Sequence, residues 1–357
     1  MIKNIAVLGL GKVGSLVATL LNSKYSVEGM DQKEPPGNYS FKFKEGDVSD
    51  EATLRAFFRD KEAVVSALPF FLNIGVATIA ADMGVHYFDL TEDVPTLNAI
   101  RKIAENSTSV LAPQCGLAPG FIGILGAGLY KQFSEIRAVK LRVGALPLHP
   151  MGQFGYSFTW SAEGVINEYL NDAEVIHNGK RKMVSSLDDL ESININGRQY
   201  EAFSTSGGLG TMCETLEGKV DTLNYKTMRY PGHRDAMKLV LYDLQLKNDR
   251  QLAKEILNNA LPLVDDDIVL VYAAVEGKID GRMHRKEFSE SYRKILIDGE
   301  EWRAISWTTA CSIAAVVDMV SEGKLPGKGF IKQEDISLTE FLNSSFGGMY
   351  ETYKDSK

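Results

Sequence analysis

Three glycines and one carboxylate near the start of the chain have the types and spacing to hold a dinucleotide. Gly9-Leu10-Gly11-Lys12-Val13-Gly14 follows the apolar run Ile5-Ala6-Val7-Leu8 and precedes residues with helical apolar spacing. Gly9 allows a tight turn, Gly11 admits a pyrophosphate with no side chain intervening, and Gly14 lets helix and strand pack closely. The unpaired N–H groups at the helix start, where Lys12 and Val13 lie, favour phosphate charge. Asp31 closes the next apolar stretch, placed to accept hydrogen bonds from ribose hydroxyls and to repel a 2′-phosphate. That favours NAD, and Lys33, a cation two residues on, leaves NADP open.

Composition bounds the rest. At 357 residues the chain predicts two domains, and 44% hydrophobic with 24% charged residues describes an ordinary soluble protein. A net charge of −8 and the lack of a Lys/Arg cluster disfavour nucleic acid as a partner. The start of the sequence carries no export signal, and no apolar stretch reads as long enough to cross a membrane, so a cytoplasmic protein is expected. Cys115, Cys213 and Cys311 are widely spaced and odd in number, which predicts thiols in a reducing compartment and no cysteine metal site.

The elements that must position the chemistry alternate strand and helix. Phe41 to Asp50 predicts a third strand followed by a helix start, with Ser49 or Asp50 capping that helix and Asp47-Val48 near the adenine. Ala63 to Leu68 predicts a fourth strand stopped by Pro69; Ala67-Leu68-Pro69 then face the nicotinamide side of the crevice. A helix over 73–83, a strand His86 to Leu90, a helix through Ile103 and a strand Ser109 to Pro113 complete a Rossmann, doubly wound parallel sheet. From about residue 135 the pattern turns to strands: 137–143, 156–160, a hairpin turning at Asn178-Gly179, another over Asn194 to Arg198, then 220–230, 268–275 and 286–297. Ser161 caps a helix through Leu170, and the apolar helix from Trp307 returns to the first half. The expected organisation is an α/β dinucleotide-binding domain, residues 1–120 plus 305–357. An inserted α+β domain with a mostly antiparallel sheet, residues 121–304, serves substrate binding and dimerisation.

Gly9 to Gly14, Cys115-Gly116-Leu117-Ala118-Pro119-Gly120, Phe158 to Ser161, Met228 to His233 and Thr308-Thr309-Ala310 fall in the order of the saccharopine dehydrogenase-like reductases, which the chain resembles over nearly its whole length. Gly144 to Pro147, Val175 to Lys180 and Glu201 to Gly208 are most similar to the lysine 6-dehydrogenase branch. That resemblance implies NAD-dependent oxidation of the lysine ε-amine, the aldehyde cyclising to a piperideine carboxylate. It also implies a Cys115-Gly116 loop lining the nicotinamide. The saccharopine-forming branch carries Asp and a later Asp-His where this chain has Ala118, Ile122 and Gly123.

Amine oxidation needs a neutral nitrogen, a base for its proton and a C–H aimed at the nicotinamide. Arg229, on a strand end, is the candidate partner of a substrate carboxylate, against an ordinary salt bridge. His233, in the turn after it, is a candidate base or carboxylate ligand, against a turn histidine satisfying backbone carbonyls. Asp89 and Glu92, beside Leu90 at the nicotinamide edge, are the other candidate bases, against acids favoured at a helix start. Trp160 and Ser161 predict a pocket wall and a cap, and Thr205-Ser206 predict hydroxyls for a carboxylate. Cys115 reads as buried filler in preference to a nucleophile. The expected function is oxidation of an amino-acid amine in the cleft between domains of a homodimer. The alternatives are reductive condensation of saccharopine or carboxynorspermidine type and a non-catalytic NAD sensor.

Overall fold

Ile5, Ala6, Val7 and Leu8 are fully buried, as a strand covered on both faces requires. They form β1 (Asn4–Leu8) of a computed structural model that describes residues 2–261 and 264–355. The glycine turn leads into α1 (Lys12–Asn22) and then β2 (Ser26–Asp31). The alternation continues through β3 (Lys42–Glu45), α2 (Glu51–Phe57), β4 (Ala63–Ser66) and α3 (Phe70–Asp82). It ends with β5 (His86–Asp89), α4 (Val94–Ala104), β6 (Val110–Ala112) and α5 (Phe121–Tyr130). Asp50, one of the two expected caps, accepts the Thr53 N–H at 3.0 Å, and Asp93 accepts that of Thr96 at 2.9 Å. The helix expected from Asn73 begins at Phe70 instead. Pro69, with φ −55°, sits at its N-cap, so the residue that stops the strand also starts the helix and no loop intervenes.

The second half is built on a large sheet from β7 (Glu135–Pro147), α6 (Ala162–Leu170), β8 (Ala173–His177), β9 (Lys180–Val184), β10 (Glu191–Ile195) and β11 (Arg198–Ser204). α7 (Met212–Leu216), β12 (Thr222–Arg229), α8 (His233–Lys238), α9 (Arg250–Ala260), β13 (Asp267–Ile279) and β14 (Arg282–Tyr292) follow. A small hairpin, β15 (Ile295–Ile297) and β16 (Glu300–Trp302), closes the region. Asn178-Gly179 and Asn196-Gly197 have positive φ at both positions, the geometry of a two-residue hairpin turn that follows strand twist. Asp280-Gly281 and Asp298-Gly299 repeat it.

The large sheet runs β10-β11-β12-β7-β13-β14, with β8 also on β12 and β9 on β8. It is mixed, because β7 and β12 pair in parallel while the other pairs run antiparallel. Two expected strands are corrected. Tyr156, Ser157, Phe158 and Thr159 are all buried regardless of parity, so 156–160 is a buried coil whose alternation has no sheet behind it. The single strand expected over 286–297 is the end of β14 plus β15.

α10 (Ala304–Ser321), β17 (Gly329–Phe330), α11 (Leu338–Leu342) and α12 (Met349–Asp355) complete the chain. β17 pairs with β6, giving a parallel sheet of order β17-β6-β5-β4-β1-β2-β3. The expectation that no apolar stretch could span a membrane is corrected by α10, whose 18 residues suffice by length and composition. The helix is 89% buried within the protein, which accounts for its composition. The chain forms two compact units, residues 1–124 with 306–357, and residues 125–305.

Candidate functional site

In the first unit the glycine turn has the shape a pyrophosphate needs. Gly9 has φ +82°, with the Ala67 carbonyl oxygen only 2.9 Å from where its Cβ would stand. A Cβ on Gly14 would lie 1.8 Å from the Gly9 carbonyl oxygen, so turn and helix are in direct backbone contact. A Cβ on Gly11 would meet nothing within 4 Å. The first intrahelical bond is from Ser15 N–H to the Gly11 carbonyl, 2.9 Å, so the N–H groups of Lys12, Val13 and Gly14 lie ahead of the helical ladder. Gly11 supplies no capping side chain and the first turn carries no acid. Nothing in this turn competes with an incoming anion, and the residues fit a dinucleotide phosphate.

Asp31 lies beside that turn. Its Oδ2 accepts the Leu10 N–H at 2.6 Å and its Oδ1 the Gln32 N–H at 2.7 Å, leaving one lone pair on each oxygen for a sugar hydroxyl. Ala67 and Leu68 border Gly9 and Gly14, while Pro69 is exposed at the start of α3. Asp47 is exposed after β3; hydrogen bonds from the Ser49 N–H and hydroxyl hold its carboxyl below the ordinary range. Val48 packs on the core of this unit.

The two candidate carboxylates after β5 have opposite environments. Asp89 is completely buried: Oδ1 accepts the N–H of Thr91 at 2.9 Å and of Gln114 at 3.0 Å, and Oδ2 accepts the Tyr87 hydroxyl at 2.7 Å. Burial pushes its carboxyl up to about 6, and its three hydrogen bonds tie the ends of β5 and β6 together with no part of the side chain exposed. Asp89 as a base is therefore corrected to a positioning residue. Glu92 is half-buried and its Oε1 has no hydrogen-bond partner among the described residues. Burial, with the charges of Asp93 and Asp89, pushes it up to about 7. Of the candidate acids this one has a spare proton-accepting atom and a poise near neutrality.

Cys115 is fully buried under Gln333, whose Nε2 donates to its Sγ at 3.4 Å and to the Pro113 carbonyl at 3.0 Å. Burial raises the thiol far above its ordinary value. Its side chain packs in the interior and is not a nucleophile. Gly116 bridges Gly120, closing the loop on itself, and the Leu90 side chain lies 3.6 Å from where a Gly116 Cβ would stand.

In the second unit Arg229 and His233 meet through a residue that sequence reasoning missed. The Tyr169 hydroxyl accepts from Arg229 Nε at 2.9 Å and lies 3.0 Å from His233 Nε2. His233 Nδ1 is 3.0 Å from the Phe154 carbonyl, which can only accept, so Nδ1 carries the proton and Nε2 accepts the tyrosine O–H. Burial and the Arg229 charge push His233 down to about 3. With both ring nitrogens engaged and no exposure, His233 as a base or carboxylate ligand is corrected to a structural histidine. Arg229 stacks on the Tyr156 ring at 4.7 Å and donates from Nη1 to the Met228 carbonyl; neither bond uses Nη2.

Trp160 packs on the apolar core of this unit, and Ser161 caps α6 by accepting the Gly164 N–H at 3.2 Å. The Thr205 hydroxyl pairs with Thr227 at 2.7 Å, and buried Ser206 donates its N–H to the Glu168 carbonyl. These serve the loop's own structure.

Comparison with known proteins agrees with the geometry. Residues 5–111 match the family described as saccharopine dehydrogenase NADP binding domain, and residues 116–349 match the saccharopine dehydrogenase C-terminal domain. The mitochondrial alpha-aminoadipic semialdehyde synthase of Mus musculus is 24% identical over 66% of this chain. A Schizosaccharomyces pombe saccharopine dehydrogenase (NADP+, L-glutamate-forming) is 24% identical over 41% of it. The chain spans 27% of the length of the first relative and 34% of the second. Apo saccharopine dehydrogenase (L-Glu forming) from Saccharomyces cerevisiae has the same fold, with TM-score 0.75 at 16% identity over 96% of this chain and 97% of that one. Homospermidine synthase from Legionella pneumophila, solved with NAD, gives 0.68 at 13% identity over 98% and 89%. With both domain descriptions matched in order along one polypeptide, the chain belongs to the saccharopine dehydrogenase family.

Proposed function

We propose that this chain is a nicotinamide-dinucleotide-dependent oxidoreductase that removes hydride from the carbon bearing an amino acid's amine, with the lysine ε-amine as substrate. The observation that carries this reading is Glu92, a carboxylate with an unpartnered oxygen and a proton affinity near neutrality, in the unit that holds the uncapped glycine turn. The ammonium form of an amine has no lone pair to expel a hydride, so a base must first take its proton, and Glu92 is suited to do so at Oε1. The bound nicotinamide supplies the hydride acceptor. Asp89 holds the Thr91 and Gln114 backbones and so fixes the loop that carries Glu92. Arg229, a buried cation with the Glu168 charge beside it, is the candidate for the substrate carboxylate. Loss of hydride leaves an imine, which water hydrolyses to the aldehyde and ammonia.

For the cofactor we propose NAD, because Asp31, beside the glycine turn, would repel a 2′-phosphate if it faces the ribose. The family description names NADP, and exposed Lys33 is the cation that would accommodate it. Lysine is favoured over saccharopine because half-buried Ala118 and fully buried Ile122 replace the acids of the saccharopine-forming branch. The test is a panel of amino acids and polyamines assayed for reduction of NAD and NADP. Reduction with lysine alone supports the proposal. Turnover only when an amine and a carbonyl compound are both present would assign reductive condensation, and dinucleotide binding without turnover would assign a sensor.

A further inference from the structure

Gln114 is held in a conformation that its own side chain opposes. Its φ is +63°, in the left-handed region that non-glycine residues rarely occupy, and it is 3% exposed. The backbone is clamped from both sides. Its N–H is bonded to Asp89 Oδ1, and Gln333 bridges the Pro113 carbonyl and the Cys115 sulfur on either flank. The side-chain Nε2 of this clamped residue has no hydrogen-bond partner among the described residues. A buried donor without a partner is costly, and backbone strain held by its surroundings collects where a ligand completes the site.

The position tells which ligand group. Gln114 follows β6, two strands beyond β4 in a parallel sheet whose ligands lie outside the carboxyl ends. It lies in the same unit as the glycine turn. On the proposed chemistry Glu92 serves the substrate nitrogen and the spare Gln114 donor suits an acceptor on the cofactor at this edge; the buried Oε1 of the clamping Gln333 is likewise unpartnered among the described residues. We propose that Gln114 Nε2 donates to the carboxamide oxygen of the bound nicotinamide and orients the ring, making Gln114 a positioning residue for hydride transfer. Asn73 Nδ2 also lacks a partner, but its residue sits in ordinary helix with Oδ1 held by Ser66, without the clamped backbone. This inference rests on the dinucleotide reading above.

The test uses calorimetry on the whole chain with NADH and NADPH, and with ADP-ribose and its 2′-phosphate form, which lack the nicotinamide. Gln114→Ala is expected to weaken the preferred dinucleotide by about tenfold, the effect of one hydrogen bond, while the matching ADP-ribose ligand binds as to wild type. Gln114→Gly is expected to show the same selective loss with an equal or higher melting temperature, since glycine adopts this φ without strain. Unchanged dinucleotide affinity in both variants overturns the inference, as does equal weakening of the ADP-ribose ligand. A wild-type protein that binds none of the four overturns the dinucleotide reading itself, and this inference with it.

Discussion

The hydroxyl of Tyr169 donates to Nε2 of His233 across 3.0 Å, and that one bond removes the histidine from the list of bases. His233→Phe would leave the Tyr169 O–H without an acceptor and the Phe154 carbonyl without its donor, costing roughly 2–4 kcal/mol. We expect a lower denaturation midpoint, with the pH dependence of the surviving activity unmoved between pH 5 and 9 (an approximate window bracketing neutrality). A displaced acid limb would return the base role to His233.

Glu92 should govern the acid limb. Its folded-state proton affinity, about 7 in place of the ordinary carboxylate value, means that the base form accumulates as pH rises, so kcat should climb through about pH 7. Glu92→Gln should remove that limb and lower kcat by roughly a hundredfold or more. The same shift has a stability consequence of fixed sign. Between the ordinary value and about 7 the folded chain holds a proton that the unfolded chain has released, so stability falls as pH rises through that window. Thermal melts of Glu92→Gln should lack this part of the decline.

Two glycines of the turn should fail in different ways. Gly14→Ala places a Cβ 1.8 Å from the Gly9 carbonyl and should destabilise the fold by roughly 3 kcal/mol. Gly11→Ala meets no protein atom within 4 Å, so its melting temperature should stay within a few degrees while dinucleotide affinity drops by about tenfold or more. Calorimetry beside a melt separates the two. Normal binding by Gly11→Ala would remove the pyrophosphate from this position.

Asp31→Ser should shift cofactor choice. Removing the carboxylate beside Leu10 takes away a like charge from any 2′-phosphate, and we expect the NADP-to-NAD ratio of kcat/KM to rise by about tenfold or more. A ratio that stays constant would mean that Asp31 does not face the ribose.

Arg229→Lys keeps a charge but loses the planar fork over Tyr156. The substrate KM should rise by roughly thirtyfold, about 2 kcal/mol, with dinucleotide affinity unchanged. An unchanged KM would leave Arg229 as a buried structural cation only.

The amino-acid sequence alone determined the features whose causes span a few residues. Gly9 to Gly14 with Asp31 encode the turn, Asp50 and Ser161 their caps, and Asn178-Gly179 and Asn196-Gly197 their hairpins, because φ preference and side-chain capping are local. Strand and helix alternation carried the parallel sheet for the same reason. Tertiary structure decided what depends on partners far along the chain: the parallel pairing of β7 with β12, and Cys115 sealed by a glutamine 218 positions later. It also separated Asp89 from Glu92, three positions apart and alike on paper. Hydrogen-bond donors from Tyr87, Thr91 and Gln114 converge on the first and leave an oxygen of the second unmatched. Proton affinity follows such convergence and burial, which no short stretch of residues contains.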